Sequence, residues 1–231
     1  MASVPNAWIE LTFPLILGVV YGSTINWLAS SLPVGFPASA FDVRYLLSQQ
    51  QRRLWVFGAA VVLFTYAFWR VNQESAQDLA KPLPLILFYL ALFLLITVID
   101  IEHRRVPNLV IGPAAVVALI AAALQSPEML FGAVVGGVIG FGCFLLIGLI
   151  RPGAMGGGDI KLAGLIGLIT GAAYVPVAII VGILAGGIGA AIFLGAKRVQ
   201  RKGSIAYAPY LCLGAVIALL HGGEIITWYL R

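Results

Sequence analysis

Apolar runs separated by short polar breaks recur along almost the whole chain, and their lengths predict helices that cross a membrane. The first runs from Trp8 to Ala29, the second from Leu54 to Val71, and the third opens at Pro82-Leu83-Pro84 and continues down to Asp100. A fourth covers Leu109 to Gln125, a fifth Met129 to Ile150, and a shorter sixth Ile160 to Thr170. The seventh spans Ala173 to Ala196, and the eighth starts at Ala208-Pro209-Tyr210 and ends near Leu230. A helix needs about 20 apolar residues to cross the bilayer core, so the pattern predicts an all-α, polytopic bundle of about eight transmembrane helices. The sixth run is short for a full span and is expected to tilt or to thin the bilayer locally.

The breaks carry their own signals. Pro33 to Arg53 is polar and ends in Gln49-Gln50-Gln51-Arg52-Arg53; it is too small to hold a core of its own. Residues 1–231 therefore read as a single integral-membrane domain with a short loop at about residues 33–53. Pro107 disfavours helix at Val106, and Asn108 is suited to cap the fourth span. Ser126-Pro127-Glu128 reads as a tight turn. Small residues recur four apart at Gly132, Gly136 and Gly140, at Ala163, Gly167 and Gly171, and at Gly182, Gly186 and Ala190. That spacing lets membrane helices approach closely, and these positions read as structural.

Composition reinforces the pattern. The chain is 61% hydrophobic and 10% charged, against about a quarter charged in ordinary soluble domains, which leaves no room for a large soluble domain. The net charge of +5 raises the question of a nucleic-acid partner, and the placement of the charge answers it. Arg44, Arg52, Arg53, Arg104, Arg105, Arg151, Lys161, Lys197, Arg198, Arg201 and Lys202 fall in alternate connections, with Arg70, Lys81 and Arg231 on the other side. Basic residues concentrate in cytoplasmic loops, so the larger set is expected in the cytoplasm and both termini outside. The Lys197–Lys202 cluster also suits anionic headgroups. Lipid, not nucleic acid, is the expected surroundings. Cys143 and Cys212 both lie in apolar runs, which removes a disulfide framework or a thiolate zinc site as readings. Met1 to Ala7 contains no Lys or Arg, which disfavours a secretory signal peptide.

Two carboxylates stand out against this background. Met155-Gly156-Gly157-Gly158-Asp159-Ile160-Lys161 sets three glycines and an acid against an apolar run. Acids there usually face a polar cavity or a partner, and glycine lets another backbone approach. The plainer alternative is a glycine loop with Asp159 as the N-cap of the following helix. Counting spans from outside puts Asp100, at the end of the third, on the same face and at the same depth as Asp159. Two carboxylates sharing a site cannot both ionise easily. The ionised member can then take a proton from water while the protonated one polarises a carbonyl, a division of labour suited to peptide hydrolysis without a metal.

Other chemistries fit less well. A serine or cysteine nucleophile needs a base, and the two histidines, His103 and His221, fall at opposite faces. His-Glu-x-x-His is absent. Glu102 is a rival acid, but two residues along a helix turn it about 200° from Asp100, toward Arg104 and Arg105. His221 and Glu224 are three apart, on one helical face near the external end, where a structural pair is expected. Asn26 is placed to hydrogen-bond a neighbouring helix.

Four motifs in one order resemble the type IV prepilin peptidases, intramembrane aspartic proteases of the Gly-x-Gly-Asp class. Ile99-Asp100 followed by Val106-Pro107-Asn108 is similar to the first family motif, and Gly156-Gly157-Gly158-Asp159-Ile160-Lys161-Leu162 to the second. Gly22-Ser23-Thr24-Ile25-Asn26 with Leu32-Pro33 resembles the N-terminal motif. Ala208-Pro209-Tyr210-Leu211 resembles the family's Phe-Gly-Pro-Tyr-Leu. The resemblance implies that Asp100 and Asp159 are the catalytic pair, with Gly156, Gly157 and Gly158 admitting the substrate backbone. It further implies that Lys161, Pro107, Asn108, Asn26, Pro209 and Tyr210 shape the site. The implied substrates are prepilins or type II secretion pseudopilins, cut at the cytoplasmic face of the bacterial inner membrane after a short basic leader.

The chain departs from the family in two places. The loop after the first span is short and lacks the paired Cys-x-x-Cys motifs of many members, which disfavours N-methyltransferase activity and its cofactor, S-adenosylmethionine. No cofactor and no metal are expected for the peptidase. Ala206-Tyr207-Ala208-Pro209 stands where the family has Pro-Phe-Gly-Pro. Presenilin-like proteases pair Gly-x-Gly-Asp with Tyr-Asp and Pro-Ala-Leu motifs, absent here. A small transporter or assembly factor, the remaining alternative, would be expected to carry deeper acids or internal repeats.

Overall fold

The computed structural model describes residues 7–31, 49–72, 81–151, 155–195 and 206–231. Most of the 33–53 connection, with Arg44 and Pro33, lies outside them, as does the Lys197–Lys202 cluster. Seven helices follow one another: α1 (Ala7–Ser31), α2 (Gln49–Val71), α3 (Leu83–His103), α4 (Asn108–Gln125), α5 (Pro127–Ile150), α6 (Gly157–Gly195) and α7 (Ala208–Tyr229). There is no strand among the described residues. Six helices are long and apolar enough to cross a membrane, and α1 contributes a shorter apolar stretch, Pro14–Ala29. The protein is a helical, polytopic membrane protein.

The sixth and seventh runs of the sequence are the two arms of α6. Gly171 breaks the helical geometry between them, with φ 78° and ψ 172°, a left-handed φ that glycine adopts without a Cβ penalty. A methyl group on Gly140 of α5 would meet both Ala163, before the break, and Val175, after it. The two arms therefore fold back beside one another on α5. At 1.5 Å per residue the first arm is about 20 Å long, short of the roughly 30 Å hydrocarbon core.

Two element boundaries differ from expectation. The polar run from Gln49 to Arg53 belongs to α2 instead of the preceding loop, because Gln and Arg are good helix formers and need no apolar partner to extend a helix. Asn108 does not cap α4: Pro107 holds the N-cap position, with no side-chain cap bond. Ser126, in contrast, does cap α5, its hydroxyl accepting from the Met129 N–H at 3.1 Å with Pro127 as the first helical residue.

The chain divides into two compact units, 1–98 and 99–231. In the first, α1 and α2 pack through glycine: a methyl on Gly18 would lie 2.8 Å from Val61 Cα, and one on Gly22 would lie 2.8 Å from the Phe57 ring. Tyr21 and Phe64 meet above them with centroids 4.9 Å apart. Asn26 is buried, and its amide donates to the Gly22 carbonyl of its own helix at 3.0 Å. The part of α3 in this unit is apolar and covered, with Ile86, Leu90, Phe93 and Ile96 fully buried.

The second unit holds the end of α3 and helices α4 to α7. Here α5 and the first arm of α6 touch backbone to backbone, Gly136 against Gly167 and Gly140 against Ala163. The second arm packs on α7, where Gly214 lies against Ala178 and Gly182. The close-packing reading of the small-residue repeats holds at these positions. His221 and Glu224 form the expected pair, 2.9 Å apart and partly exposed.

Candidate active site

The site is assembled from three helix ends in the second unit. The first is the last turn of α3. Asp100 is 4% exposed, and α3 ends three residues later, at His103, before Arg104, whose φ of 50° is the left-handed value that ends the helix. Pro107 then keeps the following connection extended, with φ −72° and ψ 130°. Glu102, on the far side of the turn, lies 3.9 Å from the His103 ring.

The second end is the start of α6, where each of the three glycines meets a different surrounding. The Gly156 carbonyl accepts from the Asp159 and Ile160 N–H groups at 3.0 and 3.3 Å, which makes Gly156 the N-cap. Asp159 is accordingly inside the first turn instead of at the cap, with its carboxylate turned back toward Gly156. A methyl on Gly156 would sit 3.1 Å from Asp159 Oδ2, and one on Gly158 would sit 3.3 Å from Val106 of the α3–α4 connection. At Gly157 a methyl would meet nothing within 4 Å, so packing does not require glycine there.

The third end is the start of α7. The N–H groups in a helix's first turn have no partner within the helix, and Ala208 is fully buried. Its N–H donates to Asp100 Oδ2 at 3.1 Å. Pro209 follows in the first turn, where a missing N–H costs no helix bond.

These ends are joined to one another. Lys161 Nζ donates to Asn108 Oδ1 at 2.9 Å, fastening the first turn of α6 to the first residue of α4. Gly158 against Val106 makes a second junction between the same segments. Asp100 and Asp159 lie within electrostatic range of each other, and Arg104 lies within range of Asp100. Tyr207 stands beside them. Burial, and then the Asp159 charge, push its phenol above its usual value, so it carries a proton at neutral pH.

Of the residues expected at the site, Asp100, Pro107, Asn108, Gly156, Gly157, Gly158, Asp159 and Lys161 lie on these joined segments. Pro209 and Tyr210 lie on the first turn of α7, with the Tyr210 hydroxyl against Gly189. Asn26 belongs to the other unit. Two contributors carry no motif signal of their own. Ala208 acts through its backbone N–H, which every residue but proline has; only its place ahead of Pro209 hinted at a helix start. Tyr207 comes near Asp159 through the fold.

The fold and this site define a class: a helical membrane protein with two carboxylates at apposed helix ends. The sequence model of the type IV leader peptidase family matches residues 87–191, a stretch that contains Asp100, Asn108, Asp159 and Lys161, and the chain is related to that family. It is 30% identical over 144 residues to the prepilin leader peptidase/N-methyltransferase of Bacillus subtilis, covering 62% of this chain and 58% of that protein. It is 32% identical over 145 residues to the protein of the same description from Pseudomonas aeruginosa, covering 60% and 49%. A third, from Stutzerimonas stutzeri, is 28% identical over 145 residues, covering 60% and 50%. The chain thus spans about half the length of the curated relatives it matches. No solved structure matches it significantly.

Proposed function

We propose that this chain is an aspartic endopeptidase that removes the short basic leader of type IV prepilins or type II secretion pseudopilins, with residues 1–231 acting as one membrane peptidase domain. The observation that carries the reading is the convergence of Asp100 and Asp159, from separate helices, at helix ends braced by Lys161–Asn108 and by the Ala208 N–H. Two such carboxylates divide the work of peptide hydrolysis. The ionised one takes a proton from a water molecule, whose oxygen attacks the scissile carbonyl carbon. The protonated one gives its proton to the carbonyl oxygen, and collapse of the tetrahedral intermediate returns a proton to the departing amine.

The surroundings support an extended substrate. Gly156 and Gly157 are exposed beside Asp159, and open space next to Gly157 leaves room for a peptide backbone. The charge pattern supports a site at the cytoplasmic face of the bacterial inner membrane, with both chain termini outside. That is where a basic leader preceding an apolar helix would be presented. The relatives' description includes N-methyltransferase; the short, cysteine-free 33–53 connection favours peptidase activity alone, and no residue is assigned to a methyl donor.

Co-expression with a prepilin tests the reading. Asp100→Asn and Asp159→Asn are each expected to abolish leader cleavage while the protein still inserts, and the wild-type product is expected to carry an unmethylated N-terminus by mass. Full cleavage by either variant would end the paired-aspartate assignment.

A further inference from the structure

The repeat Gly182, Gly186, Ala190 reads in sequence as one helix-packing stripe, yet its members do different things. Gly182 faces the start of α7, with a methyl there falling 3.1 Å from Leu211 Cδ2 and 3.3 Å from both Leu211 Cα and the Tyr210 carbonyl oxygen. Gly186 is buried and faces a ring: its methyl would come within 2.5 Å of Tyr207 Cε2 and 3.3 Å of Cδ2 and Cζ. The Tyr207 ring therefore presents its Cε2 edge to the second arm of α6, where the bare backbone of Gly186 leaves room for it. It also meets Phe144 of α5, which is fully buried, at a centroid distance of 6.3 Å, and Tyr210 at 6.4 Å.

Tyr207 is tethered at its backbone as well. As the N-cap of α7, its carbonyl accepts from the Tyr210 N–H at 3.1 Å and the Leu211 N–H at 3.4 Å. The next N–H along the chain is that of Ala208, which donates to Asp100. Ring and carbonyl thus fix the residue from two sides, and the peptide unit between them aims a buried donor at a carboxylate.

We propose that Tyr207 is a positioning residue of the candidate site: its ring, seated against Gly186, Phe144 and Tyr210, holds the first turn of α7 where the Ala208 N–H meets Asp100. The proposal rests on the paired-aspartate reading above. It assigns the positioning to the ring, so phenylalanine replaces Tyr207 with far less loss than alanine, and it makes the glycine at 186 a requirement of the site. The ring acts on the pair through the Ala208 peptide, so its loss disturbs turnover more than substrate capture.

The full chain in lipid nanodiscs, with Tyr207→Phe, Tyr207→Ala, Gly186→Ala and the double variant Gly186→Ala/Tyr207→Ala, tests this with two readouts. One is cleavage of a leader-bearing peptide, resolved into kcat and KM. The other is the rate at which a water-soluble carbodiimide labels Asp100, mapped by mass, which needs no activity. Tyr207→Ala is expected to lower kcat about 10- to 100-fold, the loss typical of a misplaced catalytic group, with KM little changed and Asp100 labelled faster. Tyr207→Phe, which keeps the ring, is expected to lose far less kcat than Tyr207→Ala and to leave Asp100 labelled at the wild-type rate. Gly186→Ala is expected to lower kcat when the tyrosine is present and to add nothing when it is absent, the signature of coupled residues.

Wild-type kcat and labelling in Tyr207→Ala overturn the proposal, as do additive effects in the double variant. Should Tyr207→Ala unfold, Gly186→Ala decides: labelling of Asp100 at the wild-type rate overturns the proposal, and faster labelling supports it. A wild-type chain that cleaves no leader peptide sinks the peptidase reading, and the labelling pattern then decides the positioning role alone.

Discussion

Glycines on α6 serve two different ends. In the first arm, residues 157–170, Gly167 brings the backbone of α6 against that of Gly136 and Gly137 on α5, and the atoms nearest an added methyl there are all main chain. In the second arm, residues 172–195, Gly186 and Gly189 open spaces that the rings of Tyr207 and Tyr210 occupy. A four-residue spacing of small side chains therefore specifies that something comes close, without specifying whether it is a backbone or a ring. The distinction matters energetically. A backbone cannot move aside without carrying its helix along, whereas a ring can turn about its side-chain torsions.

That contrast sets the size of the expected effects. Gly167→Val drives a branched side chain into the Gly136 backbone and is expected to cost about 3 kcal/mol, the upper part of the range for overpacked cores. A denaturant titration in detergent reads this, and wild-type stability would remove the backbone contact as the organising feature of the first arm. Next in size is the junction that fastens this arm to α4. Lys161→Met removes the bond to Asn108 and is expected to cost about 1 kcal/mol. Combining it with Asn108→Ala should add little further loss; independent losses in unfolding titrations would show that the two side chains are not acting together.

Smaller effects sharpen the comparison from the other direction. Gly157→Ala places a methyl in open space, so stability is expected to stay within about 0.5 kcal/mol. Its effect should fall on KM for a leader peptide, because the methyl intrudes where the substrate backbone is proposed to lie. An unchanged KM would move the substrate away from Gly157. The last expected effect is a gain. Gly142 sits two residues beyond Gly140 on α5 with nothing within 4 Å of an added methyl, so Gly142→Ala is expected to stabilise the helix by roughly 0.5–1 kcal/mol. A loss there would mean that glycine on α5 is needed for more than contact.

Much of this architecture was legible in the sequence because its cause is local. The length of each apolar run follows from the thickness of the bilayer, and the ends of α3, α5 and α7 follow from Pro107, from Ser126-Pro127 and from Pro209. Where the reading moved, the cause was not local. Asn108 has the right side chain for a cap, but Lys161, fifty-three residues away, takes its oxygen. Asp159 also has the right side chain for a cap, yet the helix begins one turn earlier at Gly156, which moves the acid into the first turn and leaves its carboxylate facing Gly156.

The sequence by itself determined that this is a helical membrane protein, where its apolar runs lie, and that two acids, one of them beside a glycine run, are the residues to watch. Hydrophobic length and the cost of a carboxylate near hydrocarbon are properties that each segment carries alone. Only the tertiary structure decided that the α6 arms fold back at Gly171, that the Ala208 N–H is the donor to Asp100, and that Tyr207 sits on Gly186. A backbone N–H is the same in nearly every residue, and a glycine only leaves space; which donor meets which acid, and what fills the space, depends on helices brought together from far along the chain.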